Sequence, residues 1–106
     1  MRRIGLLGGM SWESTATYYR LINEGFREAM GGLASADILL RSLDFQAVVA
    51  LQKGDRWDEA AHLLGDAAQG LEAAGADCIL ICTNTMHLVA EQVAASCDVP
   101  LIHIIG

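Results

Sequence analysis

The chain has 106 residues, which is room for one domain around one hydrophobic core. Apolar residues make up 53% of it, which excludes intrinsic disorder, and no apolar run approaches the roughly 18 residues of a membrane span. Seven basic residues against thirteen acidic ones give a net charge of −6. That balance argues against nucleic acid as a partner, because a phosphate-binding face needs clustered Lys and Arg. We expect neither a nucleic-acid nor a membrane partner.

Short apolar runs alternate with helical patterns along the chain. The predicted strands cover residues 3–7, 37–43, 77–82 and 101–105. A first helix is predicted over 14–30, with Tyr19, Ile22 and Phe26 on its inner face and Gly31 after its end. A second opens at Asp55, with Asp58 in an approximate capping box, and buries Trp57, Ala60, Leu64, Ala67 and Leu71. A third runs from about residue 85 to just before Pro100 and turns Met86, Val89, Ala90 and Val93 inward. Residues 44–53 add at most a short helical turn.

The four strand runs are mostly continuous in their hydrophobicity, as in strands that are buried on both faces. Alternation of such strands with helices predicts an α/β fold with parallel strands. We predict a doubly wound four-stranded parallel sheet flanked by helices, in the order 2-1-3-4. Ligands of such folds bind beyond the carboxyl ends of the strands.

A glycine pair follows the first strand. Gly8 and Gly9 allow a tight turn and could leave backbone amides open to an anion at the helix start. The pattern fits neither the G-x-G-x-x-G fingerprint nor a G-K-[ST] loop. An anion site and a plain strand-to-helix connection remain equally open.

The third predicted strand ends at Cys82, directly before a predicted helix. A helix N-terminus stabilises a thiolate, so we expect a lowered pKa and the most reactive thiol of the chain. Thr83, Asn84 and Thr85 follow and could grip a carboxylate. The alternative is that Cys82 is a small buried hydrophobe.

The other candidate residues are less informative. Cys78 is expected to be buried in mid-strand and Cys97 to be filler near a helix end. A zinc site of Cys78, Cys82, His87 and His103 is not expected, because two ligands at that spacing on one strand do not form a C-x₂-C knuckle. The single lysine, Lys53, lies in a predicted loop and is badly placed for a pyridoxal-phosphate Schiff base. Three cysteines without an export signal predict reduced thiols and a cytoplasmic location.

Three blocks of sequence resemble the aspartate/glutamate racemase family, and within it the broad-specificity amino-acid racemases. They are GLLGGMSWEST over 5–15, YYRLINEG over 18–25 and CTNTMH over 82–87. The resemblance covers the whole chain. It implies a cofactor-independent racemase of two similar α/β domains, with one catalytic cysteine from each and the active site in the cleft between them. Residues 1–106 would be the N-terminal domain, without the second.

The resemblance also implies roles for single residues. Cys82 matches the first catalytic cysteine, and Met10 and Gln52 match positions that contact an amino-acid substrate. The loop that holds the substrate carboxylate is matched by Thr83, Asn84 and Thr85. Gln52 favours the broad-specificity branch. The second cysteine of the family stands in a Gly-Cys-Thr-Glu block, which this chain lacks.

Other interpretations stay open. The chain could be a catalytically incomplete amino-acid or anion-binding module, or a homodimer that pairs two copies of Cys82 across one cleft. The apolar run 101–105 at the sheet edge predicts a homo-oligomer.

Overall fold

The computed structural model describes residues 3–9, 11–82 and 90–102. It confirms a four-stranded parallel sheet in the order β2-β1-β3-β4, flanked by helices. The strands are β1 Arg3–Gly8, β2 Asp37–Ser42, β3 Cys78–Ile81 and β4 Leu101–Ile102. Residues 103–105 of the predicted fourth strand lie outside the described residues.

The register of the sheet fixes which strand ends meet. β1 lies in the middle, with Gly8 opposite Ser42 of β2 and Leu7 opposite Ile81 of β3. Because all strands are parallel, their carboxyl ends reach the same edge of the sheet.

In the part of the chain that the structure describes, four helices accompany the strands: α1 Trp12–Met30, α2 Phe45–Lys53, α3 Trp57–Ala73 and α4 Ala90–Ala95. The predicted short turn at 44–53 is wrong in length, because α2 is a full helix whose start is capped by the Asp44 carboxylate. Lys53 is the exposed last residue of α2 rather than a loop residue. Within the described residues, no helix combines the length and apolar character needed to cross a bilayer.

Two predicted helix starts need correction. The first helix begins at Trp12 rather than residue 14, although its end before Gly31 is confirmed. The capping box at Asp55 does not form. The N-cap of α3 is Arg56, and no side chain caps that helix. Asp55 has a φ of 56°.

The core lies in two layers, one on each face of the sheet. The larger layer packs α2, α3 and α4 on one face and includes Val48, Leu64, Leu71, Ile79 and Val93. The smaller layer contains Leu6, Leu80 and Cys82, covered by Tyr18 and Ile22 of α1. The predicted inner position Tyr19 is 51% exposed, because α1 turns the neighbouring Tyr18 inward instead.

Candidate functional site

The carboxyl edge of the sheet joins the ends of three strands by main-chain hydrogen bonds. The Leu43 N–H donates to the Gly8 carbonyl at 2.8 Å, and the Cys82 N–H donates to the Leu7 carbonyl at 3.0 Å. These bonds continue the β1–β2 and β1–β3 ladders past the last strand residues. The glycine turn after β1 and the thiol after β3 therefore lie at one edge.

The Gly8–Gly9 turn is built for close packing. Gly9 has a φ of +87°, which L-residues rarely adopt, and a Cβ there would collide with the backbone of Leu43. A Cβ on Gly8 would lie 2.6 Å from two side-chain atoms of Thr15. These contacts favour the plain strand-to-helix connection between the two interpretations of the glycine pair.

Thr15 accounts for one of the turn amides. Its hydroxyl accepts a buried hydrogen bond from the Gly9 N–H at 2.9 Å and lies 3.4 Å from the Ser11 carbonyl, to which it can donate. The Gly9 amide is therefore not open to an anion, which counts against the anion site, one of the two interpretations that the sequence left open.

Ser11, the residue before α1, adopts a φ of 73° and makes no side-chain cap. A serine in the left-handed region is strained by about 1–3 kcal/mol, and such strain is common at functional turns. Neither Ser11 nor Thr15 was among the candidate residues indicated by the sequence. Thr15 could have been found from the sequence, because it lies three residues before Tyr18 and seven before Ile22. That spacing puts all three on the inner face of α1.

Cys82 follows β3 directly and is fully buried. Its Sγ lies 3.9 Å from the Leu80 carbonyl, and the thiol packs with Leu6 and Leu80 in the smaller core layer. Burial raises the pKa of the Cys82 thiol from 9.0 to about 12, because a thiolate loses its hydration there. The expected lowering of this pKa is therefore wrong for the chain as it stands.

The other two cysteines, Cys78 and Cys97, are partly buried. Cys78 opens β3 rather than lying buried in mid-strand. Cys97 packs against the larger core layer, as expected of a filler. Burial first, and the nearby Glu72 carboxylate second, raise the pKa of Cys97.

Gln52 lies half-buried in the last turn of α2, about 10 Å along the helix from its start. The start of α2 is close to the carboxyl end of β2, since Asp44 separates Leu43 from the helix and accepts from the Gln46 N–H at 3.0 Å. Met10, Thr83, Asn84 and Thr85 lie outside the described residues.

The parallel sheet in the order β2-β1-β3-β4, with helices packed on both faces, defines a doubly wound α/β domain, a class in which small ligands bind beyond the carboxyl ends of the strands. The sequence profile of the Asp/Glu/Hydantoin racemase family matches residues 7–106. The chain belongs to this family.

Two crystal structures are similar to the chain. One, from Yersinia pestis, is of a protein provisionally named an Asp/Glu racemase, with 51% identity and a TM-score of 0.95. The other, an aspartate racemase homologue from Pyrococcus horikoshii OT3, has 33% identity and a TM-score of 0.89. Each match covers 97% of this chain but 45% of the other. The chain thus spans less than half the length of these two proteins.

Proposed function

We propose that the chain forms one half of a cofactor-independent amino-acid racemase, in which Cys82 carries the α-proton on one face of the substrate. The observation that supports this most is the thiol directly after β3, at the edge where ligands of this fold bind. Family membership supports the same reaction class. The substrate is a small amino acid such as aspartate or glutamate.

The reaction needs two proton-transfer groups. Racemisation removes the α-proton from one face and returns a proton to the other, so a thiolate and a thiol must stand on opposite sides of the carbon. Without an iminium group as electron sink, fixed donors around the carboxylate must stabilise the carbanion. We assign that role to Thr83, Asn84 and Thr85, and substrate contacts to Met10 and Gln52.

The raised pKa of Cys82 determines whether its thiol begins as a proton donor or as a base. At neutral pH the buried thiol is protonated, so it is ready to donate a proton to a carbanion. To act as a base it must first lose that proton, and a nearby positive charge favours the thiolate. The ammonium group of the bound amino acid is a positive charge of this kind.

The length of the relatives indicates how much of a complete site residues 1–106 could supply. More than half of each similar structure has no counterpart in this chain. Cys82 alone can remove a proton and return one to the same face. Loss of an acid–base group typically costs about 10²–10⁴-fold in rate, so racemisation by the 106-residue chain should be near background.

Incubation with L- or D-glutamate in D₂O tests this proposal. Proton NMR should detect slow α-deuteration, and chiral chromatography should show retained configuration. Cys82→Ala should abolish the exchange, whereas the matched variant Cys97→Ala should leave it unchanged. Efficient racemisation by the chain alone would contradict the half-site. Equal exchange by Cys82→Ala would contradict the role of the thiol.

The buried, neutral thiol also favours a second candidate, a catalytically incomplete module that binds an amino acid or another anion. Calorimetry separates the two. Binding of glutamate without any α-deuteration would support the module, whereas exchange that depends on Cys82 would support the half-racemase. The odd number of cysteines, three, fits the reducing cytoplasm, where we expect either protein to act.

A further inference from the structure

We propose that strand β2 pairs antiparallel with β2 of a second copy of this chain, so that two sheets join into one across a twofold axis. β2 is the outermost strand of the sheet and pairs with β1 on one side. Within residues 3–9, 11–82 and 90–102, no strand pairs with its other side. An open edge of this kind is a template for a further strand.

The main-chain groups on this open edge can be assigned from one hydrogen bond. The Leu43 N–H points to β1, where it donates to Gly8. Along a strand, the N–H and C=O groups of successive residues point alternately to one neighbouring strand and to the other. The main-chain groups of Leu39 and Arg41 therefore point to β1, as those of Leu43 do. Ile38 and Leu40 therefore direct their N–H and C=O groups outward.

Antiparallel pairing requires an outward residue of one copy to face an outward residue of the other. If the twofold axis passes through Leu39, Ile38 of each copy lies opposite Leu40 of its partner. The pair of strands then forms about four main-chain hydrogen bonds across the axis. This register satisfies the outward-facing groups of both residues.

The same register also pairs opposite charges. With the axis at Leu39, Asp37 of each copy lies opposite Arg41 of its partner, on the same face of the sheet. Both residues are exposed. Moving the axis to Leu40 would set Leu39 opposite Arg41 and remove both charge pairs. The order of charges along β2 is thus self-complementary in one register, and this favours a second copy as the partner.

Apolar surface flanks the open edge on both faces of the sheet. Leu40 is 49% exposed and, with Trp12 and Tyr19, lines an apolar groove of about 320 Å³ between β2 and α1. On the opposite face, Leu39, Leu63 and Ala67 line a second groove of about 420 Å³ beside α3. A second copy at the β2 edge would cover part of both grooves.

This dimer differs from one that pairs two copies of Cys82. The two thiols would lie on opposite edges of the joined sheet and five strand spacings apart, which is at least about 24 Å. No proton could pass between them through one substrate. The β2 dimer leaves the carboxyl edge beside Cys82 free, so it does not depend on the proposed racemase function.

Charge reversal tests the proposed register. Sedimentation equilibrium of the 106-residue chain should show a dimer. Arg41→Asp and Asp37→Arg should each raise the dissociation constant about tenfold or more, because each sets like charges opposite one another twice. An equimolar mixture of the two variants should regain dimers, because the mixed pair has opposite charges at both positions. Glu28→Arg, on exposed α1 surface, is the matched control and should dimerise as the parent does.

Amide hydrogen exchange provides a second, independent measurement. Protection of the Ile38 and Leu40 amides should rise with protein concentration, whereas the Leu39 amide, already directed to β1, should change little. Asp37 also lies 3.4 Å from Arg3 within its own chain, so circular dichroism must show that Asp37→Arg folds. Arg41→Asp leaves that ion pair intact and must weaken the dimer by itself. A monomeric parent, variants that dimerise like the parent, or dimers without protection at Ile38 and Leu40 would each overturn the proposal.

Discussion

The hydroxyl of Thr15 accepts a buried hydrogen bond of 2.9 Å from the backbone N–H of Gly9. The bond ties the turn that follows β1 to the first turns of α1. The same threonine leaves no space for a Cβ on Gly8. One side chain thus fixes the backbone path between the central strand and the helix that covers Cys82.

Removal of the Thr15 hydroxyl should destabilise the fold. Thr15→Val keeps the shape of the side chain but leaves the buried Gly9 N–H without its acceptor, which costs about 1–3 kcal/mol. Urea unfolding followed by circular dichroism measures this loss. Thr15→Ser retains the hydroxyl and is the control, so it should lose less. A smaller loss for Thr15→Val than for Thr15→Ser would mean that the methyl group matters more than the hydrogen bond.

Gly9→Ala should destabilise the fold more than a Gly→Ala substitution at a position with free space around it. The new Cβ would meet the Leu43 backbone, and the residue would keep a φ of +87°, so we expect a loss of more than about 2 kcal/mol. Gly25→Ala is the matched control, because Gly25 lies within α1 and a Cβ there meets no atom within 4 Å. It should gain about 0.5–1 kcal/mol from helix propensity. A tolerated Gly9→Ala would show that the turn can rearrange.

The strands and the sheet order were predictable from the hydrophobic pattern together with the usual winding of α/β folds. Continuous apolar runs separated by helical spacing indicate buried parallel strands, and the order 2-1-3-4 follows the usual winding of such folds. Element ends were less predictable. The helix start at Trp12 and the uncapped start at Arg56 depend on backbone angles at Ser11 and Asp55 that their residue types do not favour.

The place of Cys82 in the fold was predictable from the sequence, but the pKa of its thiol was not. The sequence predicts Cys82 as the last residue of the third strand, because the apolar run ends there, and the structure places it one residue after the end of β3. Its pKa depends on how completely Leu6, Tyr18 and other distant residues cover the thiol, and that is a tertiary property. Local helix-dipole reasoning considers one neighbour and omits desolvation, which acts in the opposite direction.

The three thiols should react with iodoacetamide in an order set by burial. Cys82 is fully buried, and its raised pKa reduces the thiolate at pH 8 by about three orders of magnitude relative to an ordinary thiol. Cys78 and Cys97 are partly exposed and should be labelled first. Timed alkylation and peptide mass spectrometry measure the order, and labelling in urea should remove the difference. Early labelling of native Cys82 would show that the thiol is accessible or ionised.

Cys82 should also make the stability of the fold depend on pH. Its pKa is 9.0 when unfolded and about 12 when folded, so the unfolded state releases the proton first as pH rises. The stabilisation is therefore complete below pH 9 and is lost between about pH 9 and 12. Between pH 8 and pH 10 the free energy of unfolding should fall by about 1.4 kcal/mol from this group alone.

Urea unfolding at the two pH values, for the parent and for Cys82→Ala, isolates that contribution. Tyrosine and lysine also titrate in this range, so the informative quantity is the difference between the two pH dependences. Cys82→Ala should lose less stability on going to pH 10, even if its absolute stability is lower. Cys97→Ala is the matched control. It removes a partly buried thiol, so it should change the pH dependence of stability less than Cys82→Ala does. Identical pH dependences for the parent and Cys82→Ala would mean that the thiol ionises as readily in the fold as outside it, which would restore the reactive thiolate expected from the sequence.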